Sequence, residues 1–156
     1  MSIRESRIRV AVYVRMFSKK ETLLFPERNQ EEVCTKIIGA NDDWNLVQIY
    51  QDEYCPHKLV YPQFNQLIRD VEDGKIDLII TSEAERFGKN AISAYGLAQK
   101  FLENGVGIRF LENDIFTMNP MELMKLEIMA QMLQKKKERQ SECIKLGIKK
   151  KQKKER

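Results

Sequence analysis

Short β-branched runs alternate along this chain with stretches in which apolar residues recur every three or four positions. Ile8–Val14 (IRVAVYV) is nearly continuous, the pattern of a strand buried on both faces. After a loop containing Pro26, the segment Arg28–Ala40 carries Val33, Ile37 and Ile38 at helical spacing and is expected to end near Gly39 or Asn41. Leu46–Tyr50 reads as a second strand. Pro62 suits the first turn of a helix that places Phe64, Leu67, Ile68 and Val71 on one face, with Gly74 as its stop. A third strand is expected over Ile76–Thr81. A third helix follows over Asn90–Asn104, marked by Ile92, Tyr95, Leu97, Ala98, Phe101 and Leu102, and then a fourth strand over Gly107–Leu111. Strands alternating with helices predict an α/β fold, with a mainly parallel sheet wrapped by helices.

The last segment breaks that rhythm. From Pro120 to at least Lys137, Met121, Met124, Leu126, Ile128, Met129, Met132 and Leu133 cover more than one face of a helix. Such a helix is expected to bury surface against another chain as well as its own. Five of the seven methionines lie at or just before it, and methionine adapts to irregular interfaces. The expected contact residues are Met121, Met124, Ile128, Met129 and Met132. Self-association is expected to give a homodimer, or a tetramer built from it.

Composition adds a single globular domain with an appendage: an α/β body over 1–118, the long helix over 119–148 and a basic tail over 149–156. Charge is divided unevenly. Residues 135–156 hold eleven Lys/Arg against three Glu, a surplus of eight; the whole chain is only +4, so residues 1–134 are net acidic by four. A basic block of this kind suits phosphate contact through counterion release. No apolar run approaches the 18 to 20 residues or so of a membrane span, and Ser2–Arg9 has no signal-peptide pattern, so a cytoplasmic protein without a membrane partner is expected. Cys34, Cys55 and Cys143 are too few and too scattered for a disulfide framework or a zinc site, and read as reduced thiols. Trp44 is expected to pack beneath the second strand, and His57 has no assigned role.

Candidate chemistry gathers at two strand ends. The first strand runs into Arg15-Met16-Phe17-Ser18-Lys19-Lys20-Glu21, and the third into Glu83-Ala84-Glu85-Arg86-Phe87-Gly88-Lys89. If these strands are parallel neighbours, a hydroxyl, two guanidiniums and an ammonium flank one crevice, at the carboxyl ends where open α/β sheets bind ligands. That set suits a phosphodiester. A flavodoxin-like nucleotide or signalling domain is the weaker alternative, because no G-x-G-x-x-G or G-x-x-x-x-G-K-[ST] follows any strand.

Several stretches carry a resemblance in the same order and spacing. They are Val10-Ala11-Val12-Tyr13-Val14-Arg15, then Asp52, Gly74-Lys75-Ile76-Asp77, Glu85-Arg86-Phe87-Gly88-Lys89-Asn90, Glu103-Asn104-Gly105-Val106, and Thr117 with Asn119-Pro120-Met121. From about Ile8 to Gly147 the chain resembles the serine recombinase (resolvase/invertase) catalytic domain. The resemblance implies a resolvase-like, flavodoxin-like sheet with a long C-terminal helix. It also implies site-specific DNA recombination: a serine oxygen attacks a DNA phosphate, forms a phosphoserine link and releases a 3′-hydroxyl. Such transesterification requires no cofactor. Carried over position by position, the catalytic set is Arg15, Ser18, Asp52, Glu85, Arg86 and Lys89. DNA is the implied partner, gripped with low sequence specificity by Lys135, Lys136, Lys137, Arg139, Lys149, Lys150, Lys151, Lys153 and Lys154.

The chain also departs from that pattern. Aligned without gaps, Phe17 occupies the nucleophile position; a one-residue insertion near Met16 or Phe17 places Ser18 there instead, and both registers stay open. Tyr61 stands where the family has arginine before proline, Glu85 replaces aspartate, Lys89 replaces arginine, and Lys135-Lys136-Lys137 replace F-E-R. Lysine keeps charge but loses the planar fork. These departures predict a catalytically impaired recombinase domain lacking its DNA-recognition domain. The alternative is a non-catalytic, dimerising regulatory or architectural module.

Overall fold

The computed structural model describes residues 8–16, 30–53 and 61–154. The order is β1 (Ile8–Met16), α1 (Gln30–Gly39), β2 (Trp44–Glu53), α2 (Pro62–Glu72), β3 (Leu78–Thr81), a 3-10 turn (Ala84–Arg86), α3 (Ala91–Glu103), β4 (Gly107–Phe110), β5 (Ile115–Phe116) and α4 (Pro120–Lys154). The sheet runs β2-β1-β3-β4-β5, with β5 antiparallel and every other pairing parallel. From β1 the chain steps outward to β2 and then back across to β3. Their carboxyl ends therefore bound the crevice that a change in winding direction opens.

The expected α/β architecture is the observed one, with shifted boundaries. β1 extends through Met16, so Arg15 sits within the strand rather than after it, and β2 likewise takes in Asp52. β3 begins at Leu78, after a connection through Lys75, Ile76 and Asp77. β5 was not expected; two residues are too few to show a period. Asn119 caps α4 by accepting the Met121 amide at 3.0 Å, and the helix continues to Lys154, past the boundary expected at 148.

Alternation along β1 divides the core. Val10, Val12 and Val14 join Leu78, Ile80, Cys34 and Ile38 on the side covered by α1, where Trp44 also packs. Burial pushes the Cys34 thiol up to about 12, which leaves it protonated and inert. Ala11 and Tyr13 face the other side, with Tyr50, Phe64, Leu67, Phe87, Phe101, Phe110 and Leu126. Each such fully buried large side chain contributes roughly 1.5–3 kcal/mol. Phe87 is the hub of this layer, meeting Tyr13, Phe64, Phe101 and Phe110 edge-on at centroid distances of 5.1–6.2 Å.

A bulge decides which side β2 presents. Val10 pairs with Leu46, but Ala11 pairs with Gln48, so Val47 is an extra, exposed residue. Leu46 and Ile49 pack on the α1 side while Tyr50 packs on the other, and the shifted register sets Asp52 directly opposite Arg15. If the same sequence paired without a bulge, Val47 would face Ala11 and Gln51 would stand opposite Arg15.

Candidate active site

Arg15, near the carboxyl end of β1, is only 5% exposed. Its Nε donates to the Tyr13 hydroxyl at 3.1 Å, and its Nη1 donates to the Gly88 carbonyl at 2.9 Å. The guanidinium carbon lies 3.8 Å from the centre of the Tyr61 ring, a close cation–π stack. Its Nη2 is buried and, among the described residues, has no hydrogen-bond partner. A buried N–H without an acceptor is costly, so this one points to a missing acceptor.

Tyr13 passes the contact on. Burial lifts its phenol far above the ordinary value, outweighing the opposing pull of Arg15. The hydroxyl therefore stays neutral, accepting from Arg15 while donating to Asp52 Oδ2 at 3.0 Å. Asp52 also accepts the backbone amides of Gln63 (Oδ1, 3.1 Å) and Phe64 (Oδ2, 2.9 Å) at the start of α2. Tyr61, the residue before α2, makes no side-chain cap, so Asp52 supplies from β2 the acceptors that a local cap would provide. Pro62 at the first helical position lacks an N–H to satisfy. A carboxylate at the positive end of the α2 dipole is favoured there.

The segment after β3 closes the other side. Gly88 has φ +88°, and a Cβ would meet Ser93 Oγ at 3.0 Å, so a side chain here would strain the backbone that turns its carbonyl to Arg15. Asn90 and Ser93 form a reciprocal capping box at the start of α3 and hold this turn from below. Asn113, between β4 and β5, accepts the Ala84 amide at 2.8 Å and donates to Glu85 Oε1 at 3.4 Å. Arg86 pairs with Glu83 at 3.3 Å, and Lys89 is exposed.

Of the expected catalytic set, Arg15 and Asp52 are thus joined through Tyr13, and the turn bearing Glu85, Arg86 and Lys89 reaches Arg15 through Gly88. Ser18 lies outside the described residues. In the sequence Tyr13 reads only as part of a strand and Tyr61 only as a lost arginine, and nothing marks Gly88 or Asn113 as a contact. An aromatic residue before a helix-opening proline was the available signal for Tyr61, whereas the Gly88 acceptor is backbone and leaves none.

The other expected surfaces lie on α4. Met121, Met124, Ile128 and Met132 are exposed, Met121 by 79%, and their spacing of three and four aligns them on one face. Met129 is half-buried against the chain's own core, beside Leu123 and the fully buried Leu126. Lys135, Lys136, Lys137 and Arg139 are exposed, as is every residue from Gln134 to Gly147. Lys149, Lys150, Lys151, Lys153 and Lys154 lie in the last turns of the helix. Among the described residues no helix is long and apolar enough to cross a membrane.

Three solved structures show the same fold. The N-terminal catalytic domain of TP901-1 integrase is 24% identical, with 83% of this chain and 97% of that one covered at a TM-score of 0.64. A resolvase family site-specific recombinase from Streptococcus pneumoniae is 20% identical, with 90% and 99% covered at 0.71. The C-terminal catalytic domain of ISC1926 TnpA, an IS607-like serine recombinase, is 18% identical, with 67% and 70% covered at 0.56. No curated protein matches the chain significantly. The model of the resolvase N-terminal domain matches residues 10–156, nearly the whole sequence, and the chain belongs to that family.

Proposed function

We propose that this chain serves site-specific DNA recombination as a serine-recombinase-type module whose own strand-transfer chemistry is impaired. The observation that carries the reading is Arg15: a buried guanidinium held by neutral groups, with Nη2 unpartnered, at the sheet end where a phosphate would bind. Fixed guanidiniums stabilise charge on a phosphorus centre through paired hydrogen bonds. Impairment is supported by the residues around it. Tyr61 contributes a ring where the family pattern has a guanidinium, Lys89 lacks a planar fork, and the segment after Arg15 matches the nucleophile register only with an insertion. Mixed with nicked or supercoiled recombination-type DNA, the chain should give little or no SDS-resistant adduct. An adduct abolished by Ser18→Ala would overturn the impairment and make Ser18 the nucleophile.

The α4 helix supplies the rest of the reading. A second copy would cover the Met121–Met132 stripe, since a monomer leaves that apolar face in water. The double change Ile128→Glu and Met132→Glu should yield a soluble monomer; an unchanged mass by light scattering would refute this interface. Beyond the stripe, the lysines and Arg139 would grip phosphates with little sequence preference, so duplex affinity should fall steeply with salt. Salt-independent binding would rule that role out. These features also suit the second reading, a dimerising architectural module without chemistry.

A further inference from the structure

Three groups hold the Arg15 guanidinium, and they differ in kind. The Tyr13 hydroxyl and the Gly88 carbonyl lie at its edge and fix two of its nitrogens. The Tyr61 ring lies against its face at 3.8 Å, much nearer than the Tyr13 or Phe64 rings at 5.6 and 5.9 Å. Among the described residues no carboxylate forms an ion pair with Arg15. A planar cation gripped only at its edge can still tilt; a ring on its face removes that freedom without neutralising the charge.

The ring itself is anchored. Tyr61 packs against the core and stands immediately before α2, whose first amides are held by Asp52. That carboxylate also accepts the Tyr13 hydroxyl, so one group on β2 sets both the edge and the face contact of the guanidinium. We infer that Tyr61 is a positioning residue for Arg15: its ring, fixed at the start of α2, sets the plane of the guanidinium and thereby the direction of the unpartnered Nη2. The substrate class is a phosphate oxyanion, and this part rests on the reading of Arg15 as a phosphate ligand. The ring acts through its face, so phenylalanine should replace it and leucine should not.

The test uses the full chain labelled at arginine nitrogen, with inorganic phosphate as the probe. In the free wild type, Arg15 should show separate, slowly exchanging Nη1 and Nη2 signals. Tyr61→Phe should keep them, whereas Tyr61→Leu should merge them while the Arg9 signals stay in place as a control for folding. Phosphate affinity at Arg15 should fall about three- to thirty-fold in Tyr61→Leu, the range of a cation–π contact, and change less than about twofold in Tyr61→Phe. Unchanged Arg15 signals in Tyr61→Leu, or equal loss in both variants, would overturn the proposal. If phosphate leaves wild-type Arg15 undisturbed, the phosphate reading fails, and the free-protein spectra still decide whether Tyr61 positions the guanidinium.

Discussion

Arg9 and Arg15 stand six residues apart on one strand. At the amino end of β1, Arg9 forms a fork with Asp77, Nε and Nη2 each 3.0 Å from a carboxylate oxygen, and its backbone N–H donates to the same side chain at 2.9 Å. Both partners are more than 40% exposed. Arg15 at the carboxyl end is buried, meets a phenol, a carbonyl and a ring, and keeps one nitrogen without an acceptor among the described residues. A carboxylate that satisfies a guanidinium also cancels its field; neutral partners fix the group and leave its charge available to an anion. The first arrangement suits a structural tie between β1 and the segment before β3, and the second suits a site.

Breaking the support of Arg15 should have the largest effect. Asp52→Ala removes the acceptors of two helix amides and of a buried phenol, and should destabilise the fold by about 2–4 kcal/mol in urea titration. A loss under about 0.5 kcal/mol would mean that water replaces the carboxylate and that Asp52 organises nothing.

Removing Arg15 itself sharpens the contrast. Exchanging a buried, incompletely bonded charge for an apolar side chain of similar length is often neutral or stabilising. Arg15→Met should therefore stay within about 1 kcal/mol of the wild type in stability while abolishing phosphate binding. A loss of several kcal/mol would make Arg15 a structural residue rather than a ligand for an anion.

The smallest effect belongs to Arg9→Ala, about 0.2–1 kcal/mol and shrinking with added salt, because the pair is exposed. Its pH dependence has a definite sign. Hydrogen bonds from Arg9 hold the Asp77 carboxyl below its usual range. The pair's contribution is thus complete above the unfolded aspartate value of about 4 and disappears as pH falls through the lower folded value. Stabilities of wild type and variant should converge in acid; a gap that widened there would contradict the pairing.

Much of this molecule was legible before its structure. Val10–Val14 and the spacing of Phe64, Leu67 and Val71 carry their elements because burial on two faces or on one stripe leaves a period in the sequence. Arg15 and Asp52 were legible as a pair only through resemblance, since nothing local links residues 37 apart. What stayed hidden has a physical reason in each case. The Asp52 cap acts across the fold rather than within α2, the Gly88 contact is made by backbone, and the Asn113 support for the turn at Ala84 comes from a loop 29 residues away. Met129 illustrates the reverse: its spacing fits both the exposed stripe and the core, and packing places it against the core.

Side-chain direction in a strand is a matter of odd and even, and the bulge at Val47 changes the parity of everything after it. Loss of that one codon would look like the mildest of edits, a residue removed from an exposed edge strand. In the folded chain it would only heal the bulge, since Gln48 would then follow Leu46 in register and Asp52 would stay opposite Arg15. One residue inserted between Gln48 and Gln51 would instead set Gln51 opposite Arg15 and send Asp52 to the α1 side. For the same reason, an alignment that slides a gap along β2 past Val47 assigns every intervening residue to the wrong side of the sheet.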